Sequence, residues 1–169
     1  VREYAKHADI PVINMACCTY HPTQGLADIM TLREVLRKVE GKRYVIMWGY
    51  SKSFRGRCSI QEDALITTRF GMDVVLAHPE GFEIDPKIVR TSEQNAKESG
   101  GSFQVTHNLK AALEGAHAVF PRNWASQGLL EVGASAFGKD REAALHEKYS
   151  HWTLTMDMVD MMDRKAVVT

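Results

Sequence analysis

Short apolar runs rich in β-branched and aromatic residues alternate with longer segments of helical period along the whole chain. No other feature limits the fold as strongly. The runs fall at residues 11–15, 44–49, 73–77, 102–106, 118–120 and 165–169. Helices are expected between them at 23–39, 59–70, 86–99, 109–115, 124–137, 140–149 and 155–164. Val, Ile, Phe and Tyr dominate several runs, as strands covered on both faces require. Leu26, Ile29, Met30 and Val35 recur near a 3.6 period in the first long helix. Pro86 suits a first helical turn that Asp85 can cap, and Gly71 and Gly100 follow helices where positive φ is wanted. Strand–helix alternation implies βαβ units, so the expected fold is α/β: doubly wound, with a mostly parallel sheet.

Composition narrows the function. The 169 residues carry 21 Lys and Arg against 21 Asp and Glu, a formal net charge of zero. That balance argues against nucleic acid or an anionic membrane as the main partner. No apolar run approaches the ~20 residues of a membrane span. Cys17, Cys18 and Cys58 are an odd set without CxxC or zinc-finger spacing, so reduced thiols in a cytoplasmic protein are expected and no metal site is. The chain opens inside a helix-like segment, VREYAKHAD, and closes on a strand-like one, KAVVT. A fragment of a longer protein is expected on that ground.

In doubly wound sheets ligands sit beyond the carboxyl ends of strands. Three loops qualify, at residues 17–24, 50–57 and 121–126. The first presents His21, Pro22, Thr23 and Gln24 where a long helix begins, with Asp28 in its first turns. Two readings are open from residue types alone. Thr23 caps the helix, Pro22 stiffens the turn and His21 is a surface residue; or the helix N-terminus holds an anion, His21 donates to an oxyanion and Gln24 grips a planar amide. In the other loops Lys52, Arg55, Arg57 and Arg122 could neutralise a carboxylate. His78, His107 and His117 read as turn or helix-entry residues, and Met156, Met158, Met161 and Met162 as a flexible core or lid face.

The segment HPTQGLADIMTL resembles the HPxQxLxDxxT signature of the aspartate/ornithine carbamoyltransferase superfamily, matching at His21, Pro22, Gln24, Leu26, Asp28 and Thr31. The likeness continues through YVIMWGY, RFGMDVVLAHPEGFEIDP and NAKESGGSFQVTHNLKAALEGAHAVFPRNW. Within the superfamily the chain is most similar to the knotted, YgeW-like branch. About ten residues separate Gly49 from the helix expected near Ser59, longer than an ordinary βα loop. Where ornithine enzymes carry DxxxSMG this chain has PRNWASQG, which counts against ornithine as substrate.

The resemblance implies three segments: residues 1–22 as the end of a carbamoyl-phosphate-binding domain, 23–40 as an interdomain helix, and 41–169 as the second-substrate domain. It implies a cytoplasmic homotrimer, without metal or cofactor, that transfers the carbamoyl group of carbamoyl phosphate to an amino or amide nitrogen of a small substrate. His21 would donate to the carbamoyl oxygen, Gln24 would bind the carbamoyl nitrogen, and Pro22 and Thr23 would set the loop. Ser51, Lys52, Ser53, Arg55, Arg122, Asn123, Trp124 and Ser126 would meet the second substrate. The family's phosphate-binding SxRT-type loop and its HCLP loop are not in the sequence, so the 169 residues alone are expected to be inactive. An ornithine or putrescine enzyme is the alternative in class, and a non-catalytic paralogue keeping the fold is the alternative outside it. A dinucleotide-binding module would need a GxGxxG turn that residues 49–56 lack.

Overall fold

The computed structural model describes residues 1–169. Five strands form one all-parallel sheet in the order β3-β2-β1-β4-β5, where β1 is Arg43–Trp48, β2 Asp73–Ala77, β3 Ser102–Thr106, β4 Ala118–Arg122 and β5 Val167–Val168. In register, Tyr44 lies beside Val74 on one side and Ala118 on the other. β1 is thus the central strand, and Tyr44, Val45, Ile46, Met47 and Trp48 are wholly buried. Covered faces on both sides explain why RYVIMW shows no polar alternation. β3 is an edge: Ser102, Gln104 and Val105 are exposed, which an edge strand tolerates.

The connections fix where a ligand can sit. From β1 the chain runs through α3 (Cys58–Arg69) to β2, then through α4 (Pro86–Ser99) to β3. It returns through α5 (Leu109–Leu113) to β4, on the far side of β1. Right-handed crossovers therefore put α3 and α4 on one face and α5 on the other. The direction reverses between β1 and β4, and that switch point opens a crevice at their carboxyl ends. Outside α3 packs the longest helix, α2 (Pro22–Leu36), with a short α1 (Arg2–Ala5) at the start of the chain.

Helix ends follow their punctuation. Asp85 accepts from the Lys87 N–H at 2.8 Å, Pro86 opens α4, and Gly100 closes it at φ 81°. Gly101 is required for a different reason: a Cβ there would overlap the Met72 carbonyl oxygen, where the loop into β3 crosses the start of β2.

Several expected elements differ. Residues 11–15 form no strand; no other strand lies beside them, Pro11 removes a donor, and Ile13 and Met15 are exposed. The helix expected at 23–39 starts one residue earlier and stops at Leu36, where Arg37 adopts φ 66°. Of its four periodic apolar residues only Ile29 reaches the core, while Leu26, Met30 and Val35 are more than half exposed. The helix expected at 124–137 is two short ones, α6 (Gln127–Val132) and α7 (Ala134–Phe137), divided by Gly133 at φ 78°. α8 (Lys139–Lys148) is close to expectation, whereas the last helix shrinks to α9 (Met156–Val159). Met162 is buried and Met158 packs on the core, but Met156 faces solvent. No helix is long and apolar enough to cross a membrane.

Candidate active site

The entry to α2 is tied down on both sides. Gln61 of α3 donates to the Thr19 carbonyl at 2.9 Å, and the Cys17 N–H donates to Tyr20 O at 2.8 Å. The Tyr20 N–H also points at Cys17 Sγ and, with the Thr19 backbone, pulls that thiol below its ordinary pKa. The cap of α2 is not Thr23 but His21, whose Nδ1 accepts from the Gln24 N–H at 3.3 Å. Pro22 at the first helical position sets that register, so Thr23 falls inside the turn and its hydroxyl donates to the Met15 carbonyl at 3.0 Å. A neutral His21 ring that accepts at Nδ1 carries its hydrogen on Nε2, which is thereby presented as a donor. Glu62 lies beside His21; burial raises its carboxyl pKa, and the His21 backbone and ring oppose the rise.

Gln24 is oriented with equal definition. Its Nε2 donates to both Asp28 oxygens, at 3.0 and 2.9 Å. A carboxylate only accepts, so the amide nitrogen must face Asp28 and the carbonyl oxygen must face away. One turn of helix thus offers a donor at His21 and an acceptor at Gln24.

At the switch point the loops after β1 and β4 meet. Gly49 donates to Arg122 O at 3.0 Å, Ala125 to Arg55 O at 2.9 Å, and the Asn123 side-chain amide to the Ser53 carbonyl. Between them lies a cavity of about 330 Å³ lined by Gly49, Tyr50, Ser51, Pro121, Asn123, Thr153 and Leu154. Lys52, Ser53 and Arg55 stand exposed on the same loop. Arg122 is half-buried with its guanidinium 5.8 Å from the Phe120 ring, and its Nε has no partner. The cavity wall includes neither His21 nor Gln24, which belong to the entry of α2.

Two residues expected at the second-substrate site lie elsewhere. Trp124 is wholly buried, its indole N–H donating to Phe82 O at 2.8 Å while its own carbonyl accepts from the Trp48 indole at 2.9 Å. Ser126 is 1% exposed and gives both its N–H and its hydroxyl to Glu142, at 2.7 and 2.5 Å. Both support the loop from beneath and neither faces the cavity. Large rings and short hydroxyls next to a ligand loop read the same whether they touch ligand or hold the loop; only burial separates the two roles.

Glu142 and its partner were not legible as site residues. Glu142 is 0% exposed and meets His146 Nε2 at 3.1 Å, while His146 Nδ1 faces the Ser51 carbonyl at 3.3 Å. One buried pair on α8 thus pins the loop after β1 and the loop after β4 together. The i,i+4 spacing of Glu142 and His146 was visible, but on a surface helix it marks an ordinary exposed pair. Thr153 and Leu154, on the cavity wall, carry no motif at all. No group of three or more His, Cys, Asp or Glu is arranged to hold a metal ion.

Known proteins resemble the chain along most of its length. Residues 41–169 match the family described as aspartate/ornithine carbamoyltransferase, Asp/Orn binding domain, and residues 1–34 match its carbamoyl-P binding domain. YgeW of Escherichia coli (strain K12), named as a carbamoyltransferase, is 34% identical over 164 residues, covering 89% of this chain and 41% of that protein. The N-acetylornithine carbamoyltransferase of Xanthomonas axonopodis pv. citri is 34% identical over 156 residues, covering 90% of this chain and 43% of that protein. A crystal structure of acetylornithine transcarbamylase complexed with acetylcitrulline superposes with a TM-score of 0.89 at 29% identity, covering 99% of this chain and 48% of that one. The chain therefore spans less than half the length of these relatives. On the match over residues 41–169 and the identity along most of its length, the chain belongs to the aspartate/ornithine carbamoyltransferase family.

Proposed function

We propose that the protein carrying this chain transfers the carbamoyl group of carbamoyl phosphate to an amino or amide nitrogen of a small substrate. The observation that carries the reading is the α2 entry, where His21 and Gln24 present a donor and an acceptor about one turn apart, each fixed by a partner of its own. The nitrogen lone pair attacks the carbamoyl carbon, the carbonyl oxygen gains negative charge, and the C–O bond to phosphate breaks with its electrons leaving on phosphate. The departing phosphate takes the proton that the attacking nitrogen gives up. A donor already aimed at that oxygen needs no reorganisation when the charge develops. His21 Nε2 serves the oxygen and Gln24 Oε1 takes the carbamoyl N–H. Pro22 and Thr23 hold the turn.

The second substrate enters the cavity between the loops after β1 and β4. Ser51, Asn123 and the backbone at Gly49 are its neutral contacts there. Lys52, Ser53, Arg55 and Arg122 flank it, and the cations pair with a carboxylate or other anion. The changed PRNWASQG segment favours a YgeW-like substrate of ureide, purine or amino-acid nitrogen metabolism over ornithine or putrescine. Residues 1–22 close the carbamoyl-phosphate domain, 23–40 bridge and 41–169 form the second-substrate domain. The long loop from Gly49 to α3 is where a knotted member would thread, and a cytoplasmic homotrimer is the assembly that goes with the reading.

The test is a screen of candidate amines and amides against carbamoyl phosphate, using the protein as its gene encodes it and phosphate release as the readout. At least one nucleophile should release phosphate, and His21→Ala should slow it about 100-fold or more. No release with any nucleophile, or an unchanged rate in the variant, sinks the reading and leaves the non-catalytic paralogue.

A further inference from the structure

Asp63 occupies the buried face of α3 with Ile60, Ala64 and Thr67, and is 0% exposed. Its Oδ2 accepts from the Tyr44 hydroxyl at 3.1 Å, and that hydroxyl also lies 3.3 Å from Thr169 Oγ1. Its Oδ1 is buried with no partner among donors. Asp28, on the buried face of α2 that packs against α3, faces Asp63, and is the residue that both Gln24 contacts run to. Two carboxylates facing each other in the interior do not both ionise cheaply. A buried acceptor without a donor is costly too. Both costs vanish if Asp63 keeps its proton and bonds Asp28 through it.

We propose that Asp63 is the protonated member of a carboxyl pair with Asp28 and is a positioning residue for Gln24. The inference rests on the carbamoyl-transfer reading of the α2 entry. With the proton on Asp63, Asp28 remains an acceptor only and holds the Gln24 amide with Nε2 inward and Oε1 outward. With the proton on Asp28 instead, that residue could donate to Oε1, the amide could turn over, and a donor would face the carbamoyl nitrogen where an acceptor is needed. The location of one buried proton therefore selects the polarity of the site.

The surroundings agree. Burial first, and then the charge of Asp28, push the Asp63 carboxyl well above the usual carboxylate range. The groups facing it are Asp28 from α2, Tyr44 from β1 and Glu62 from its own helix, with Thr169 reached through Tyr44. α4 meets α3 further along, through Asn95 on the Leu65 carbonyl and Ser99 on the Thr68 carbonyl.

Infrared difference spectroscopy on the protein as encoded locates the proton without reference to turnover. At pH 7 the wild type should show a protonated carboxylic-acid band that Asp63→Asn removes. Asp28→Asn, which takes away the like charge and supplies an amide donor, should remove it as well, so one well-folded variant suffices. Kinetics separate positioning from packing. Asp63→Asn, neutral and able to donate, should keep the KM for carbamoyl phosphate within about twofold, while Asp63→Leu should raise it about tenfold. If Asp63 only fills space the order reverses, and the positioning role is wrong. If transfer is normal but no band is lost in either variant, the carboxyl pair is wrong and the reading of the site stands. If the band is present but the protein turns over no carbamoyl phosphate, the reading of the site is wrong and the positioning role falls with it.

Discussion

His21 divides its ring between two tasks. Nδ1 accepts from the Gln24 N–H and starts α2, and Nε2 is left for a ligand. Two substitutions pull the tasks apart. Asparagine is a strong N-cap residue and alanine a poor one, so His21→Ala should lose about 1 kcal/mol of stability that His21→Asn retains. Both should lose carbamoyl transfer about equally. Urea unfolding beside initial rates checks the pair of expectations; equal stability in the two variants would mean the cap is unimportant. His21 and Gln24 stand out in the sequence because the motif around them is specific. Thr23 offers itself as the cap in sequence, since Ser or Thr before a helix reads as an N-cap, but the fixed φ of Pro22 moves the boundary back to His21. Asp63 could not have been singled out. A lone acid among Ile60, Ala64 and Thr67 becomes unusual only when Asp28 is found opposite it.

At the scale of elements, α8 is a clamp more than a cover. Glu142 takes three hydrogen bonds at full burial, from the Ser126 N–H, the Ser126 hydroxyl and His146. Glu142→Leu would leave all three donors unpaired in the interior and should cost about 3 kcal/mol, read from the urea midpoint. The same change should loosen the loops that wall the cavity, since His146 also meets Ser51. A loss below about 1 kcal/mol would show that the network is dispensable. The close approach at Gly101 makes a second, independent expectation. Gly101→Ala forces a Cβ against the Met72 backbone, where nothing flexible can yield, and should destabilise by about 2 kcal/mol or more. Element types were readable from period and punctuation over most of the chain. They failed at residues 11–15, which find no paired neighbour, and at 124–137, where Gly133 breaks a continuous apolar pattern that carries no other stop signal.

For the whole molecule, topology decided where chemistry could sit before any motif was weighed. Order β3-β2-β1-β4-β5 puts the switch point between β1 and β4, and the cavity at Gly49, Ser51 and Asn123 lies there. Loops at the carboxyl ends of strands were legible from strand–helix alternation; which two of them meet at the switch point was not, because crossover direction leaves no mark on composition. The fold also carries a pH dependence with opposite signs in two windows. His78 is 1% exposed, and burial holds its pKa below the ordinary value. The unfolded chain then binds the proton more readily, so stability is full above about pH 6.5 and falls as the pH drops below it. Asp63 runs the other way. Its raised carboxyl pKa means the folded state keeps a proton the unfolded chain releases, so its contribution is full below about pH 4 and is lost as pH rises. Asp63→Asn removes that loss while keeping the shape. Its melting temperature relative to wild type should therefore climb between pH 4 and pH 7, whereas His78→Gln should show its relative gain only below about pH 6.5. Melting curves of the three proteins across that range decide it. A flat difference for Asp63→Asn would mean that residue 63 is ionised in the fold, and with it the polarity of Gln24 would need another cause.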